Sequence, residues 1–375
     1  MLAKAQLQHL VKSTKTNRVL DGNLLPLNNN ECFLNLEEVS SVTVVEDDPK
    51  GAVPVAFGIF NRCSSNQIYC SIVAVSPNYE HNFVNAEKVK CKTTELGLTG
   101  DTSSNQHSLL KLTEVMSELP DLSGLPQYFS AFAEPVARPL LTCVVDQLIE
   151  QTVGNQNVEM GRNFIDLYDS EAGLPEHSDA LWRDYSGFVV ADRFRYCEIN
   201  IARNDLLDVI KSSLEKNSAT KQILQDDGTF LPYRIESISK ATLGLVTEYD
   251  QSVALMSRDD YLEYLVGLGG VSGKVAIDAQ NQPQGYILTL NSRVLQCYGE
   301  NVDVANHLLV EHISENIKTH QLSLFVRLGK DDWIAEKLVA VASKVRRVRR
   351  FHTRIVPASV KWNKVYSLNM GVHLL

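Results

Sequence analysis

The chain reads Gln284-Gly285-Tyr286-Ile287-Leu288-Thr289-Leu290, then Asn291-Ser292, then Arg293-Val294-Leu295-Gln296-Cys297-Tyr298-Gly299, and runs without a spacer into Glu300-Asn301-Val302-Asp303-Val304-Ala305-Asn306-His307-Leu308-Leu309. The first two runs are short, apolar and β-branched, and Asn291-Ser292 between them is a turn pair, so they predict a strand hairpin. The period then changes. Ala305, Leu308, Leu309, His312, Ile313 and Ile317 recur at three- and four-residue spacing, as on one face of a helix. Asn301 is placed to cap that helix, and Asp303 falls in its first turn, where the helix dipole favours a negative charge. The order is hairpin, tight turn, helix.

Working outward, Gln321 to Gly329 alternates and predicts a strand, with Leu322, Leu324, Val326 and Leu328 on one face. Asp331 or Asp332 caps an expected helix from Trp333 to about Ala342. Lys344 to Ile355 and Trp362 to Asn369 read as two final strands around Pro357. Upstream, Tyr233 to Ile238 reads as a strand, Lys240 to Val253 and Arg258 to Leu268 as helices, and Lys274 to Asp278 as a strand turned by Asn281-Gln282-Pro283. The expected sum is β-α-α-β-β-β-α-β-α-β-β.

This order, with Tyr249-Asp250 followed by Arg258, Gln284-Gly285-Tyr286, and Cys297-Tyr298-Gly299-Glu300-Asn301 before Ala305 and Leu308-Leu309, resembles the GNAT (GCN5-related N-acetyltransferase) superfamily over about residues 230 to 375. More narrowly, it resembles the tandem YitH/HolE-type acetyltransferase-like branch. The resemblance implies an α/β (α+β) chain of tandem GNAT-like domains, each a central mixed, mostly antiparallel sheet flanked by helices. It also implies acetyl-CoA as cofactor and acetyl transfer to an amine.

The bulk numbers agree with two domains. The chain has 375 residues, 44% of them hydrophobic and 22% charged, with a net charge of −9, which fits a folded protein and disfavours a globally basic nucleic-acid binder. An apolar run of about 18 residues, the length of a spanning helix, is absent, so no membrane partner is expected. The 7 cysteines show no Cys-x-x-Cys pair, which fits reduced thiols in a cytoplasmic or nuclear setting. Residues 1–30 form an N-terminal segment in which Lys4, Lys12, Lys15 and Arg18 precede any acid. A plain helix or tail and a transit helix are the two readings.

In the first half, Ser41 to Glu46, Ala52 to Phe60 and Ile68 to Val75 read as strands. Residues 90–127 read as an irregular insertion whose one helix lies near Leu109 to Met116. Leu140 to Gln151 has helical spacing, with Pro139 at its start. Asn163 to Leu174 resembles the late helix of an acetyltransferase unit, and Tyr185 to Asp192 with Arg195 to Ile201 its closing hairpin. Asn204 to Asn217 is a helix, and Asp226-Asp227-Gly228 marks the boundary. The expected domains are therefore 31–228 and 229–375.

An active unit of the family holds the cofactor pyrophosphate in a turn of the type Gln/Arg-x-x-Gly-x-Gly/Ala at a helix N-terminus, where glycines let backbone N–H groups approach the phosphates. Pro77-Asn78-Tyr79-Glu80-His81-Asn82 has no glycine. Glu134-Pro135-Val136-Ala137-Arg138-Pro139 has none either, and each proline removes a donor. These two stretches compete for the turn of the first half, and spacing to Tyr168 favours the later, with Arg138 as its cation. In the second half Tyr298, Gly299, Glu300 and Asn301 form the matching turn, with one glycine and the carboxylates of Glu300 and Asp303. Each costs a bound phosphate on the order of 1 kcal/mol at an effective dielectric near 20.

By the resemblance, Tyr168 is the general acid that protonates the departing thiolate; the other reading is an amphipathic tyrosine at a core edge beside Leu167. Glu300 and Asp303 are either ordinary first-turn dipole partners or catalytic acids. Histidine spacing offers no metal site, and none is expected. Cys297 is either an exposed thiol or a small buried hydrophobe. Finally, Lys344 to Arg354 carries Arg346, Arg347, Arg349 and Arg350 without an acid. It reads either as a strand whose charged face meets carboxylates of the same protein, or as a site for nucleic acid or another anionic partner. Two functions follow: an N-acetyltransferase, or a non-catalytic scaffold that binds a partner through the cleft between halves or through this strand.

Overall fold

The computed structural model describes residues 9–10, 39–49, 51–62, 67–79, 83–85, 107–112, 137–154, 158, 164–170, 188–190, 195–222, 233–254, 257–267, 269–328, 333–353 and 360–367. The expected N-terminal segment except residues 9–10, most of the 90–127 insertion, Asp226-Asp227-Gly228, and the Asp331 and Asp332 cap lie outside these. None of the described helices is long and apolar enough to cross a membrane.

The strands are β1 (Val39–Asp48), β2 (Gly51–Arg62), β3 (Gln67–Val75), β4 (Phe83–Asn85), β5 (His107–Lys111), β6 (Ala137–Pro139), β7 (Phe164–Ser170), β8 (Phe188–Val190), β9 (Arg195–Ala202), β10 (Tyr233–Ser237), β11 (Val271–Asp278), β12 (Pro283–Leu290), β13 (Arg293–Gly299), β14 (Gln321–Leu328), β15 (Lys344–Thr353) and β16 (Val365–Ser367). The helices are α1 (Leu140–Thr152), α2 (Arg203–Gln222), α3 (Leu243–Ala254), α4 (Asp259–Gly267), α5 (Val302–Asn316) and α6 (Ala335–Val341). From β10 to β16 the order is β-α-α-β-β-β-α-β-α-β-β, as the hydrophobic periods predict.

The chain forms two compact units, Met1–Asp192 with Arg349–Val356 and Leu374–Leu375, and Arg193–Val348 with Pro357–His373. The transition thus falls at 192/193, not at the expected 228/229, because β9 pairs along its whole length with β14 (Arg195↔Leu328 to Ala202↔Gln321). The residues expected to make a β8–β9 hairpin do not pair with each other: β8 pairs with Phe351–Thr353 of β15, and β9 with β14 and Lys344–Val348.

In the second unit the strand order is β10-β11-β12-β13-β14-β9-β15, antiparallel throughout except for β13 and β14. The β12–β13 hairpin turns at Asn291-Ser292 with Leu290 opposite Arg293, and Asn291 takes the positive φ of 52° that such a two-residue turn needs. Gly285 faces Gly299 across this hairpin. A Cβ on Gly285 would lie 2.5 Å from the Tyr298 carbonyl oxygen and 2.8 Å from the Gly299 Cα, so only glycine fits. Asn301 caps α5 as expected, its side-chain oxygen accepting from the Val304 N–H at 3.1 Å. Ala305, Leu308, Leu309, Ile313 and Ile317 are buried as the spacing predicts. Each of these leucines stabilises the unit by about 1.5–3 kcal/mol through burial.

In the first unit β1, β2 and β3 form an antiparallel meander, with β5 parallel to β1 and β7 parallel to β3. Helix α1 buries Leu141, Val144, Val145, Leu148 and Ile149 in the same core as Val42, Val44, Val55, Phe60 and Val73. Two expectations are corrected here. His107–Lys111 is a strand, not part of a helix from Leu109, because β1 offers it a free edge. Phe164–Ser170 is also a strand, not the late helix, so Tyr168 stands on β7.

Candidate functional site: the gap between β13 and β14

β13 and β14 run parallel but pair at one position, Arg293↔Ser323, while β13 continues to Gly299 and β14 to Leu328. Two parallel strands that pair at their starts and then continue apart leave an open edge on each. On β13 that edge faces away from β12, since Tyr286↔Tyr298 and Ile287↔Cys297 already occupy the other side.

The gap is occupied by β16. Val365 pairs antiparallel with Tyr298 and Ser367 with Cys297, with a register shift between them. Ser367 Oγ donates to the Phe325 carbonyl of β14 at 3.1 Å, so the short strand is tied to both walls. Val365, Tyr366 and Ser367 are all buried, and the Tyr366 ring meets Trp333 edge-on at 5.6 Å. The residues before β16 are held as well. Lys361 N–H donates to the Val253 carbonyl at the end of α3 at 2.9 Å, and the Arg327 guanidinium lies 5.9 Å from the Trp362 ring centre.

Tyr298, Gly299, Glu300 and Asn301 come together where β13 passes into α5. Glu300 N–H is not turned to a ligand; it donates to the Gln284 carbonyl at 2.8 Å. Gly299 is closely packed, its missing Cβ being 3.1 Å from Ala305 N. The Glu300 carboxylate pairs with Lys364 Nζ at 2.5 Å. The turn therefore has a carboxylate at its mouth, a lysine from the neighbouring segment neutralising it, and one backbone donor already used.

Behind the turn, on the α3 side of β12, lies a buried polar network. Arg258 forks onto Asp250, with Nε 2.9 Å from Oδ2 and a second nitrogen 2.5 Å from Oδ1. The Tyr286 hydroxyl is 2.6 Å from Asp250 Oδ1 and 3.1 Å from Gln296 Oε1; its single proton goes to the nearer carboxylate. Burial disfavours the charged guanidinium of Arg258, but Asp250 outweighs this and holds it protonated well above its ordinary range. Burial, reinforced by Asp250, pushes the Tyr286 phenol well up. The Tyr286 ring packs edge-on against both Tyr249 and Tyr298, at 6.3 and 5.3 Å. Tyr249 is also pushed up, by burial first and then by Glu300. Cys297 is a buried thiol whose pKa is raised by that burial, so of its two readings the small buried hydrophobe holds.

The other residues singled out from the sequence lie elsewhere. Arg138 stands on β6 opposite Val84 of β4, in a two-stranded ladder. Tyr168 is the first residue of β7 beyond its last pair with β3, Cys70↔Leu167. In the basic strand, Arg346 is bound to Glu198 at 2.6 Å and Arg350 is buried, while Arg347 is exposed. Arg346 thus follows the reading in which this strand meets carboxylates of its own protein. Lys364, Trp333, Tyr366 and Gln296 were not legible as site residues. The alternation at Val365-Tyr366-Ser367 marks a strand, but nothing local says which strand it joins.

Residues 26–190 match a family model described as a domain of unknown function (DUF7596). No curated protein matches. Among solved structures the chain is similar to a putative acetyltransferase from Pyrococcus horikoshii, at 13% identity and a TM-score of 0.46, over 85% of this chain and 76% of that one. It is also similar to a tandem GNAT protein from the clavulanic acid biosynthesis pathway, at 10% identity and a TM-score of 0.41, over 94% and 95%. A GCN5-related N-acetyltransferase from Sphaerobacter thermophilus is similar at 10% identity and a TM-score of 0.38, over 84% and 81%.

Proposed function

We propose that this protein is an acetyltransferase-like scaffold whose second unit keeps the sheet-and-helix plan of an N-acetyltransferase but works by binding, not by acetyl transfer. The observation that carries this reading is β16 in the gap between β13 and β14, paired to Cys297 and Tyr298 where an extended cofactor arm would otherwise lie. The turn adds to it, since its Glu300 carboxylate is already paired with Lys364 and its Glu300 N–H is given to the Gln284 carbonyl, so neither is left for a pyrophosphate.

A second reading has its own support in the first unit. There β3 and β7 run parallel for four residue pairs, Gln67↔Phe164 to Cys70↔Leu167, and both strands continue past them, to Val75 and Ser170. In that reading acetyl-CoA binds at the first unit, an amine attacks the thioester directly, and Tyr168 protonates the leaving thiolate.

Calorimetric titration of the full chain with acetyl-CoA separates the two. The scaffold reading expects no heat at millimolar ligand. Micromolar binding overturns it in favour of the enzyme, and loss of turnover without loss of binding in Tyr168→Phe then assigns the acid.

A further inference from the structure

β10 ends the strand order on one side, so among the described residues no strand lies beyond it. Its pairs with β11, Tyr233↔Asp278 to Ser237↔Lys274, run without a bulge. Just past them Ile238 N–H donates to the Gly273 carbonyl at 2.9 Å. Antiparallel partners bond at every second residue, so Arg234 and Glu236 also turn their backbone groups to β11. The N–H and C=O groups of Tyr233, Ile235 and Ser237 therefore point outward. The Ser237 carbonyl agrees with this: it accepts from Thr242 Oγ1 at 3.3 Å and keeps a second lone pair. Edge strands are commonly blunted by a proline, a bulge or charges of one sign. β10 has no proline and no bulge, and its two charges are opposite.

The side chains divide between the faces of the sheet. Tyr233 and Ile235 lie on the α5 side, where the Tyr233 hydroxyl is 2.6 Å from His307 Nδ1 and Ile235 packs, half-buried, against the core. Arg234 and Glu236 lie on the other face and pair along the strand at 2.6 Å, with side chains 49% and 42% exposed. The Arg234 guanidinium also donates to Asn281 Oδ1 at 2.9 Å and to the Asp278 carbonyl at 3.2 Å.

The geometry points to the outer edge of β10 as a homodimer interface, in which a second copy pairs antiparallel about a two-fold axis at Ile235. The sequence Tyr233-Arg234-Ile235-Glu236-Ser237 is complementary to itself in that arrangement. Ile235 exchanges its outward N–H and C=O with Ile235 of the second copy, and Tyr233 and Ser237 bond each other's copies on either side, about six backbone bonds in all. Arg234 then stands directly opposite Glu236 of the second copy, at the positions where side chains come closest. The neighbouring two-fold registers, centred on Arg234 or on Glu236, set like charges against each other and are destabilised. Charge thus selects the register that brings the two half-buried Ile235 side chains together. With five residues from each copy the interface is small, so the dimer is weak and reversible. It does not depend on whether either unit binds acetyl-CoA.

Sedimentation velocity of the full chain, from micromolar to near-millimolar concentration, should show a reversible monomer–dimer equilibrium. Arg234→Glu surrounds the axis with carboxylates alone and Glu236→Arg with guanidiniums alone, so each variant by itself should dimerise about tenfold or more less tightly. The pair lost within the strand is exposed, so both variants should fold, and thermal melts check it. Mixed in equal amounts, the two variants regain both opposite-charge contacts and should form a heterodimer with the affinity of the wild type. A wild type that stays monomeric throughout overturns the inference. So does a dimer that either variant leaves unchanged, which then uses another surface. A mixture that stays monomeric overturns it too, and leaves the edge to a partner of different sequence.

Discussion

Lys364 Nζ stands 2.5 Å from Glu300 Oε2, so the acid that opens α5 is answered by a lysine only one residue before β16. The turn before α5 faces its own chain, through this pair and through the Glu300 N–H given to the Gln284 carbonyl. Because the pair is partly solvated, its loss in Lys364→Ala should cost only about 0–1 kcal/mol of global stability. Urea denaturation measures it, and a loss above about 2 kcal/mol would mean that the segment before β16 contributes to the core itself.

The fork of Arg258 on Asp250 is a different case, because Asp250 is fully buried. Arg258→Met leaves a buried carboxylate with only the Tyr286 hydroxyl and should cost about 3–5 kcal/mol. Tyr286→Phe removes one donor and keeps the guanidinium, for about 1–3 kcal/mol. Denaturant midpoints for the two variants should fall in that order; the reverse order would place the weight of the network on Tyr286.

His312 is buried on the sheet side of α5, with Nε2 2.7 Å from Thr289 Oγ1 and 3.4 Å from Ser272 Oγ, and Asn316 at Nδ1. Burial lowers its pKa to about 4, Lys274 adds to the shift, and Glu315 opposes it. The unfolded chain therefore takes up a proton near pH 6.5 that the folded chain refuses until about 4. Its contribution is complete above the unfolded pKa and is lost as the pH falls through that window, by up to about 3 kcal/mol. In His312→Gln the slope of stability against pH between these limits should flatten; an unchanged slope assigns it to other groups.

Glu198 on β9 holds two arginines, Arg293 at 3.1 Å and Arg346 at 2.6 Å. Arg293 is almost fully buried, so Glu198→Gln should cost about 3–5 kcal/mol by leaving that charge without its carboxylate. Thermal melts will show it as a large drop, whereas Arg347→Glu, on the exposed side of the same basic strand, should leave the melt nearly unchanged.

Local signals were enough for the second unit. The change of period at Asn301, the turn at Asn291-Ser292 and the glycine at 285 each act within a few residues, and each gave its element. What failed was pairing over distance. Ile165-Asp166-Leu167-Tyr168 reads as a helix beside an asparagine and a glycine, yet β3 recruits it as a parallel strand, and β1 recruits His107–Lys111 in the same way. β9 looked like the partner of β8 because neighbours in sequence usually pair, but the edges of β14 and β15 took it. The site divides similarly. Tyr298 to Asn301 were legible because they are contiguous, whereas Lys364, Tyr366 and Trp333 reach the gap only through the fold.

One consequence concerns synthesis. The first unit includes residues 349–356 as well as 1–192, and Thr353 Oγ1 accepts from the Ile165 amide at 2.9 Å. That segment emerges from the ribosome only after residues 193–348 of the second unit have been made. The amino-terminal half must therefore wait unfinished while the rest is made, and a nascent chain cut short anywhere before residue 349 should be a client for chaperones, not a free-standing domain.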